Sequence, residues 1–226
     1  MSKVSFIGLG VMGFPMAKHL QESGYLTTVY NRTESKAQDW VIKYGGSMAS
    51  TPAAAAEGSE IVFMCVGDDE DVRSVVYGET GVLAGMNSGS VLVDHTTASA
   101  TVAKEIAEAA SKQGVEFIDA PVSGGQAGAE NGQLTVMCGG DSHVFENVEP
   151  VISSYAKAVN LIGPVGSGQT TKMVNQICIA GLVQGLSEGL DFGRRAGLDM
   201  EKVLAAISQG ASGSWQMSNR SETMLK

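Results

Sequence analysis

A lysine and two amides stand at i, i+3 and i+4 in the stretch KMVNQ: Lys172, Asn175 and Gln176. On a helix that spacing turns all three toward one side. The chemistry such a trio suits is proton transfer at a carbonyl. When hydride reduces a ketone or aldehyde, the oxygen becomes an alkoxide that a protonated lysine can neutralise; in the oxidising direction a neutral lysine can take the alcohol proton. Asn175 can orient the substrate or the lysine amine, and Gln176 adds a second amide to the pocket floor. A solvated lysine near a helix entrance, GQTTK, is the competing reading. A second candidate lies upstream in DAPVSGG, residues 119–125, where Ser123, Gly124 and Gly125 offer a hydroxyl and backbone N–H groups that suit a carboxylate. Here the competing reading is a rigid turn.

Reduction of a carbonyl needs a hydride source, and the first residues supply a place for one. In FIGLGVMG the glycines Gly8, Gly10 and Gly13 follow a strand-like Val4-Ser5-Phe6-Ile7 and lead into a helical pattern. In that context Gly8 makes a tight turn, Gly10 lets a pyrophosphate approach, and Gly13 lets the helix pack closely, while N–H groups at the helix start face the anion. Leu9, Val11 and Met12 complete the turn. Without a Gly-Lys-Ser/Thr ending, a phosphate-loop hydrolase is disfavoured.

About twenty residues further on, a carboxylate would bind the ribose hydroxyls of NAD. This chain has Asn31 and Arg32 there instead, with Lys36 nearby, so the expected cofactor is NADP, with NAD as the alternative. A solvated arginine is the competing reading. Thr33 is expected to cap the helix that begins near Glu34 and, with Leu9, Val11, Met12 and Asn31, to lie against the cofactor. Val66 and Gly67 are expected to pass beneath the nicotinamide ribose, and Thr97, after Thr96, to touch the cofactor; plain turns fit both segments nearly as well.

These candidates need elements to hold them. Apolar runs at 26–30, 61–66, 90–93, 116–119, 134–138 and 158–162 read as strands. Helical patterns at 14–20, 40–44, 69–77, 98–113 and 145–155 alternate with them. The expected class is α/β: a Rossmann-type, largely parallel sheet domain over residues 1–163. Residues 164–226 are expected to begin an all-helical substrate and oligomerisation domain. A long interdomain helix over 168–196 opens it, a short helix follows at 199–209, and a polar tail holds Trp215 and Met224. The apolar face of that long helix needs cover from another subunit or from further chain.

Composition narrows the field. Fifteen Lys and Arg against 24 Asp and Glu give a net charge of −9, which opposes nucleic acid and anionic membrane as partners. No run approaches the ~18 apolar residues of a membrane span, and no leader pattern opens the chain, so a cytoplasmic protein is expected. Cys65, Cys138 and Cys178 are too scattered for a metal and read as small buried hydrophobes; no metal is expected. His19 reads as a surface or packing residue and His143 as a helix-start residue. His95 sits nearest the cofactor edge.

Taken together, FIGLGVMGFPMAKHL, DAPVSGG, GAENGQLTVMCGG, GPVGSGQTTKMVNQ and SEGLDFGRRAGLD resemble the 3-hydroxyisobutyrate dehydrogenase, or beta-hydroxyacid dehydrogenase, family, with its 6-phosphogluconate dehydrogenase-like sheet domain. The resemblance implies that Lys172 is the proton donor or acceptor, that Ser123, Gly124 and Gly125 bind the substrate carboxylate, and that Asn175 orients the substrate. It implies cofactor contacts from Gly8, Gly10, Gly13, Arg32 and Thr97, and assembly as a homodimer or homotetramer. The substrate would be a small carboxylate-bearing aldehyde or alcohol: 3-hydroxyisobutyrate, or the tartronate, succinic semialdehyde or glyoxylate type. An imine reductase and a non-catalytic dinucleotide-binding structural protein are the alternatives, and Lys172 speaks against both. His19 and Gln176 stand where the family usually has asparagine. The family continues past the position of Lys226 through a Lys-Asp-Leu segment, so this chain is expected to be C-terminally truncated.

Overall fold

The computed structural model describes residues 2–226 as two compact units, one running through Lys172 and one from Met173 to Lys226. The first opens with β1 (Lys3–Ile7), α1 (Gly13–Glu22), β2 (Leu26–Tyr30), α2 (Glu34–Tyr44), β3 (Ser47–Met48), α3 (Pro52–Ala56) and β4 (Ile61–Met64). It continues through α4 (Asp69–Val76), α5 (Val82–Gly85), β5 (Val91–Asp94), α6 (Ala100–Ser111), β6 (Glu116–Asp119), β7 (Val122–Ser123) and α7 (Gly125–Glu130). After these come β8 (Leu134–Gly139), α8 (Ser142–Ile152), β9 (Ala156–Gly163) and the start of α9 (Ser167–Arg195).

The strands lie in the order β3-β2-β1-β4-β5-β6-β8-β7, with β9 also paired to β8. All pairs from β3 to β6 are parallel, and β8 runs antiparallel to β6 and β7 but parallel to β9. Strands β4 and β5 are buried at every residue, as a sheet covered on both faces requires. Their side chains alternate between two cores. Phe6, Ile61, Phe63 and Val93 join Met16, Leu20 and Trp40 on one face. Ile7, Val62, Met64 and Leu92 join Val72, Val102 and Ile106 on the other.

The expected α/β class and its parallel sheet are found. The sequence reading missed the short pieces β3, β7, α3, α5 and α7, where few residues give a period too little room to show. Helix α2 starts at Glu34, directly after Thr33 as expected, and includes the helical pattern read at 40–44. Thr33 occupies its N-cap position with extended backbone but makes no side-chain capping bond. The pattern at 98–113 shortens to α6, and the one at 145–155 shifts three residues towards the N-terminus to become α8.

In the second unit α9 continues to Arg195, followed by α10 (Met200–Ile207) and α11 (Trp215–Leu225). The stretch expected to be a polar tail is therefore a helix. Ser214 accepts the N–H of Met217 as its cap, and Met217 and Ser221 make the buried side. Glycines 181, 185 and 189 of α9, with Met200, Val203 and Ile207, line an apolar groove of about 380 Å³. Among the described residues no helix is long and apolar enough to cross a membrane, and no cluster of His, Cys, Asp or Glu suits a metal. The three cysteines are free; Cys138 is buried and Cys65 half-buried, but Cys178 is exposed, contrary to the expectation that all three would be core residues.

Candidate functional site

At the carboxyl ends of β1, β2 and β4 a cleft of about 530 Å³ opens. Ligands of parallel sheets lie outside the strand ends in this way. The three glycines each meet a different demand. Gly8 has φ +96°, and an added β-carbon would run into the Cys65 carbonyl. At Gly13 a β-carbon would strike the Gly8 carbonyl and Phe6, so α1 packs on β1 only without a side chain there. Gly10 differs, since nothing lies within 4 Å of the place its β-carbon would take, and it lines the cleft. Space left bare at this point admits a ligand's phosphates. The N–H groups of Gly10, Val11, Met12 and Gly13 have no backbone acceptor among the described residues, whereas Phe14 N–H already bonds to Gly10 O. Open space ringed by free donors at a helix start fits a dinucleotide diphosphate.

Not every residue of the turn faces the cleft. Leu9 is buried in the core, and its N–H donates to Asn31 Oδ1 at 2.9 Å. Asn31 therefore fixes the turn from below and also donates to Thr33 O at 3.0 Å. Val11, Met12, Asn31, Arg32, Thr33, Lys36, Val66 and Gly67 all line the cleft. Arg32 is exposed and donates from Nη1 to Asp71 Oδ1 at 3.3 Å. Thr97 is exposed and does not line the cleft; its neighbour Thr96 is buried and accepts the Val66 N–H at Oγ1, 3.1 Å away.

A second constellation gathers around the loop after β6. Asp119, fully buried, accepts the N–H of Gly166 at 2.7 Å on one oxygen and that of Gln169 at 2.9 Å on the other. Burial pushes its carboxyl pKa up, and the backbone donors oppose that shift. Its charge answers the unsatisfied donors at the α9 N-terminus. Gln169, also fully buried, donates from Nε2 to Thr96 O at 2.7 Å and accepts Ala98 N–H at Oε1, 3.1 Å away. One turn further on, Lys172 is 9% exposed, and its Nζ donates to Val122 O at 2.8 Å. Burial lowers the Lys172 pKa from the usual lysine value. The lysine amine thus bonds to the carbonyl immediately before Ser123. Ser123 is half-buried at the end of β7, and Gly124 and Gly125 are exposed, with φ of +135° and +63°.

Asn175 and Gln176 lie in the second unit, where Asn175 Nδ2 donates to Gln176 Oε1 at 3.1 Å. His95 is buried and stacked on Phe63. Its Nδ1 is 2.7 Å from Ala120 O and its Nε2 2.7 Å from Tyr155 OH. Desolvation drops its pKa to about 4, so it is a neutral core residue that ties β5 to the loop after β6. His19 Nε2 lies 3.1 Å from the carbonyls of both Ala129 and Glu130, which packs α1 onto α7.

The sequence alone gave no role to Asp71, Asp119 or Gln169, and it set Thr96 beside Thr97 at the cofactor, where Thr96 proves to be a buried support. Asp119 and Gln169 stood inside quoted motifs. Their signal was a polar residue ending an apolar strand and an amide just inside a helix start.

Comparisons with known proteins place the chain among NAD(P)-binding dehydrogenases. Residues 3–163 match the NAD binding domain of 6-phosphogluconate dehydrogenase, and residues 166–226 match the NAD-binding segment of NADP-dependent 3-hydroxyisobutyrate dehydrogenase. An "Uncharacterized oxidoreductase" of Shewanella frigidimarina is 63% identical over 224 residues, covering 99% of this chain and 77% of that protein. "Probable 3-hydroxyisobutyrate dehydrogenase-like 1, mitochondrial" of Arabidopsis thaliana is 46% identical over 226 residues, which are 100% of this chain and 67% of that one. Among solved structures, Mycobacterium tuberculosis 3-hydroxyisobutyrate dehydrogenase with L-serine aligns at a TM-score of 0.88 and 27% identity, covering 97% of this chain and 74% of that chain.

Proposed function

The chain belongs to the 3-hydroxyisobutyrate dehydrogenase family of NAD(P)-dependent hydroxyacid dehydrogenases, and from that premise we propose that it interconverts a small 3-hydroxyacid and its semialdehyde, preferring NADP(H). The observation that carries this reading is the buried Lys172 amine, bonded to the carbonyl that precedes Ser123. It sets a proton source beside a loop suited to a carboxylate.

In this reading Gly8, Gly10 and Gly13 shape the diphosphate seat, and the free N–H groups of Val11 and Met12 meet its charge. Arg32 and Lys36 meet the 2'-phosphate. Bound there, the nicotinamide would supply the hydride. Ser123, Gly124 and Gly125 hold the substrate carboxylate. Lys172 gives its proton to the carbonyl oxygen during reduction and takes the alcohol proton during oxidation. Desolvation favours that exchange, because a lysine with a lowered pKa releases its proton nearer neutral pH. Asn175 and Gln176, within the next turn of α9, orient the substrate; this assignment rests on their spacing. Residues 1–163 are assigned to cofactor binding and 164–226 to substrate binding and assembly.

The exposed Ile177 and Phe192 of α9, at 72% and 74%, support assembly as a homodimer or homotetramer. Three free cysteines suit the reducing cytoplasm.

The test is cofactor oxidation by the full-length protein with NADPH or NADH and a panel of short semialdehydes, each paired with an analogue lacking the carboxylate. We expect turnover confined to the carboxylates and faster with NADPH. Turnover with no member of the panel, or equal turnover of the carboxylate-free analogues, would defeat the reading. The member turned over fastest separates the 3-hydroxyisobutyrate type from the tartronate, succinic semialdehyde and glyoxylate types.

A further inference from the structure

The cleft wall facing Arg32 carries a carboxylate that the proposed reaction leaves without a task. Asp71 sits in the first turn of α4 and lines the same cleft as Arg32, Thr33 and Lys36. Its Oδ1 accepts Arg32 Nη1 at 3.3 Å across the opening. Its Oδ2 leans over Gly67, where a β-carbon would collide with it, so the bare backbone of Gly67 lets the carboxylate reach into the cleft. Of the two partners, Asp71 is the less exposed: its side chain is 37% exposed against 86% for Arg32. Arg32 is the more exposed partner, lying across the cleft on the less exposed acid.

We propose that Asp71 is a specificity-determining residue that weakens the preference for NADPH. The inference rests on the reading that Arg32 meets the 2'-phosphate. Arg32 can reach that phosphate only by giving up or sharing its bond to Asp71. The phosphate itself brings a charge of about −1.5 to −2 beside an existing carboxylate. Both effects act against NADPH. Neither acts against NADH, whose ribose hydroxyl is uncharged and can donate a hydrogen bond to a carboxylate. Arg32 and Lys36 would favour NADPH strongly by themselves, and Asp71 cancels one of their two charges. The result is an enzyme that accepts both cofactors within a moderate ratio.

The experiment is fluorescence titration of NADPH and NADH into the full-length protein and its Asp71→Asn, Asp71→Ala and Arg32→Ala variants, with thermal melts as a check on folding. Removing one like charge near contact distance in a water-like medium is expected to raise the ratio of the NADH to the NADPH dissociation constant about five- to tenfold. Both Asp71 substitutions should do this, and Arg32→Ala should move the ratio the other way. An unchanged or lowered ratio in both Asp71 variants, with Arg32→Ala still selective against NADPH, overturns the role of Asp71 alone. Equal weakening of both cofactors by Arg32→Ala overturns the phosphate reading, and the inference falls with it.

Discussion

Lys172 and Arg32 are the two cations on which the proposed reaction leans, and the fold treats them in opposite ways. Lys172 is buried, bonded to a backbone carbonyl, and carried on a helix whose start is held by Asp119 and Gln169. Arg32 hangs from a strand end with most of its side chain in water and one long contact to another side chain. The difference follows from the two tasks. A proton must be delivered to one atom, and a displacement of about 1 Å can cost about a hundredfold in rate. A phosphate has three oxygens and can be met from many directions, so a guanidinium on a long, exposed side chain suffices.

The largest expected effect tests the buried side. Lys172→Ala should lower kcat by about 10²–10⁴-fold with cofactor affinity nearly unchanged. The wild-type pH profile should carry the lysine's signature, with its sign set by direction. Desolvation lowers the Lys172 pKa, so the protonated donor is lost on raising pH through a value below the ordinary one. Reduction of the aldehyde should therefore decline above that value, while oxidation of the alcohol should rise through it. A profile that is flat in both directions, or a Lys172→Ala variant with undiminished kcat, would remove the buried corner's claim to the chemistry.

Next in size is the support beneath that corner. Gln169→Ala removes an amide whose two ends hold the backbone of Thr96 and Ala98, and it leaves buried groups unpaired, each at a cost of about 1–3 kcal/mol. We expect kcat to fall about 10–100-fold with the NADPH dissociation constant changed less than about threefold, because Gln169 makes no bond to Arg32 or Lys36. A melting temperature lowered while kcat stays at the wild-type value would mean that Gln169 only stabilises the fold. Equal losses in kcat and cofactor affinity would erase the contrast between the regions.

The two regions were also legible to different degrees. Around Arg32 the sequence speaks plainly: Gly8, Gly10 and Gly13 lie within six residues, and Asn31 to Lys36 follow directly on β2. What escaped was Asp71, because it arrives from α4 across the cleft. No local spacing reveals a partner 39 residues away. In the buried corner Lys172 stood out by its spacing to Asn175, yet its partner is a main-chain carbonyl at Val122, which carries no signal in residue type. Its supports Asp119 and Gln169 are joined across fifty positions. The helix α11 was hidden by composition: its polar face outnumbers Met217, Ser221 and Met224, though their i, i+4, i+7 spacing after Ser214 marks a capped helix.

The smallest expected effect belongs to the exposed wall and is read in salt. Lys172 acts out of contact with bulk ions, whereas Arg32 and Lys36 face water, where the screening length is about 10 Å at 0.1 M and about 3 Å at 1 M ionic strength. The NADPH dissociation constant should therefore weaken about two- to threefold between 0.1 and 0.5 M sodium chloride. The NADH constant, which lacks the 2'-phosphate, should change less. Wild-type NADPH affinity should respond weakly because Asp71 offsets one of the wall's two positive charges. Asp71→Asn frees that charge, so its NADPH titration should respond more steeply to salt than the wild-type one. The kcat of a saturated enzyme should stay level across the same range, since the proposed proton step lies in the buried corner. If kcat fell with salt while the two dissociation constants moved together, the division between a buried site for chemistry and an exposed one for recognition would be drawn in the wrong place.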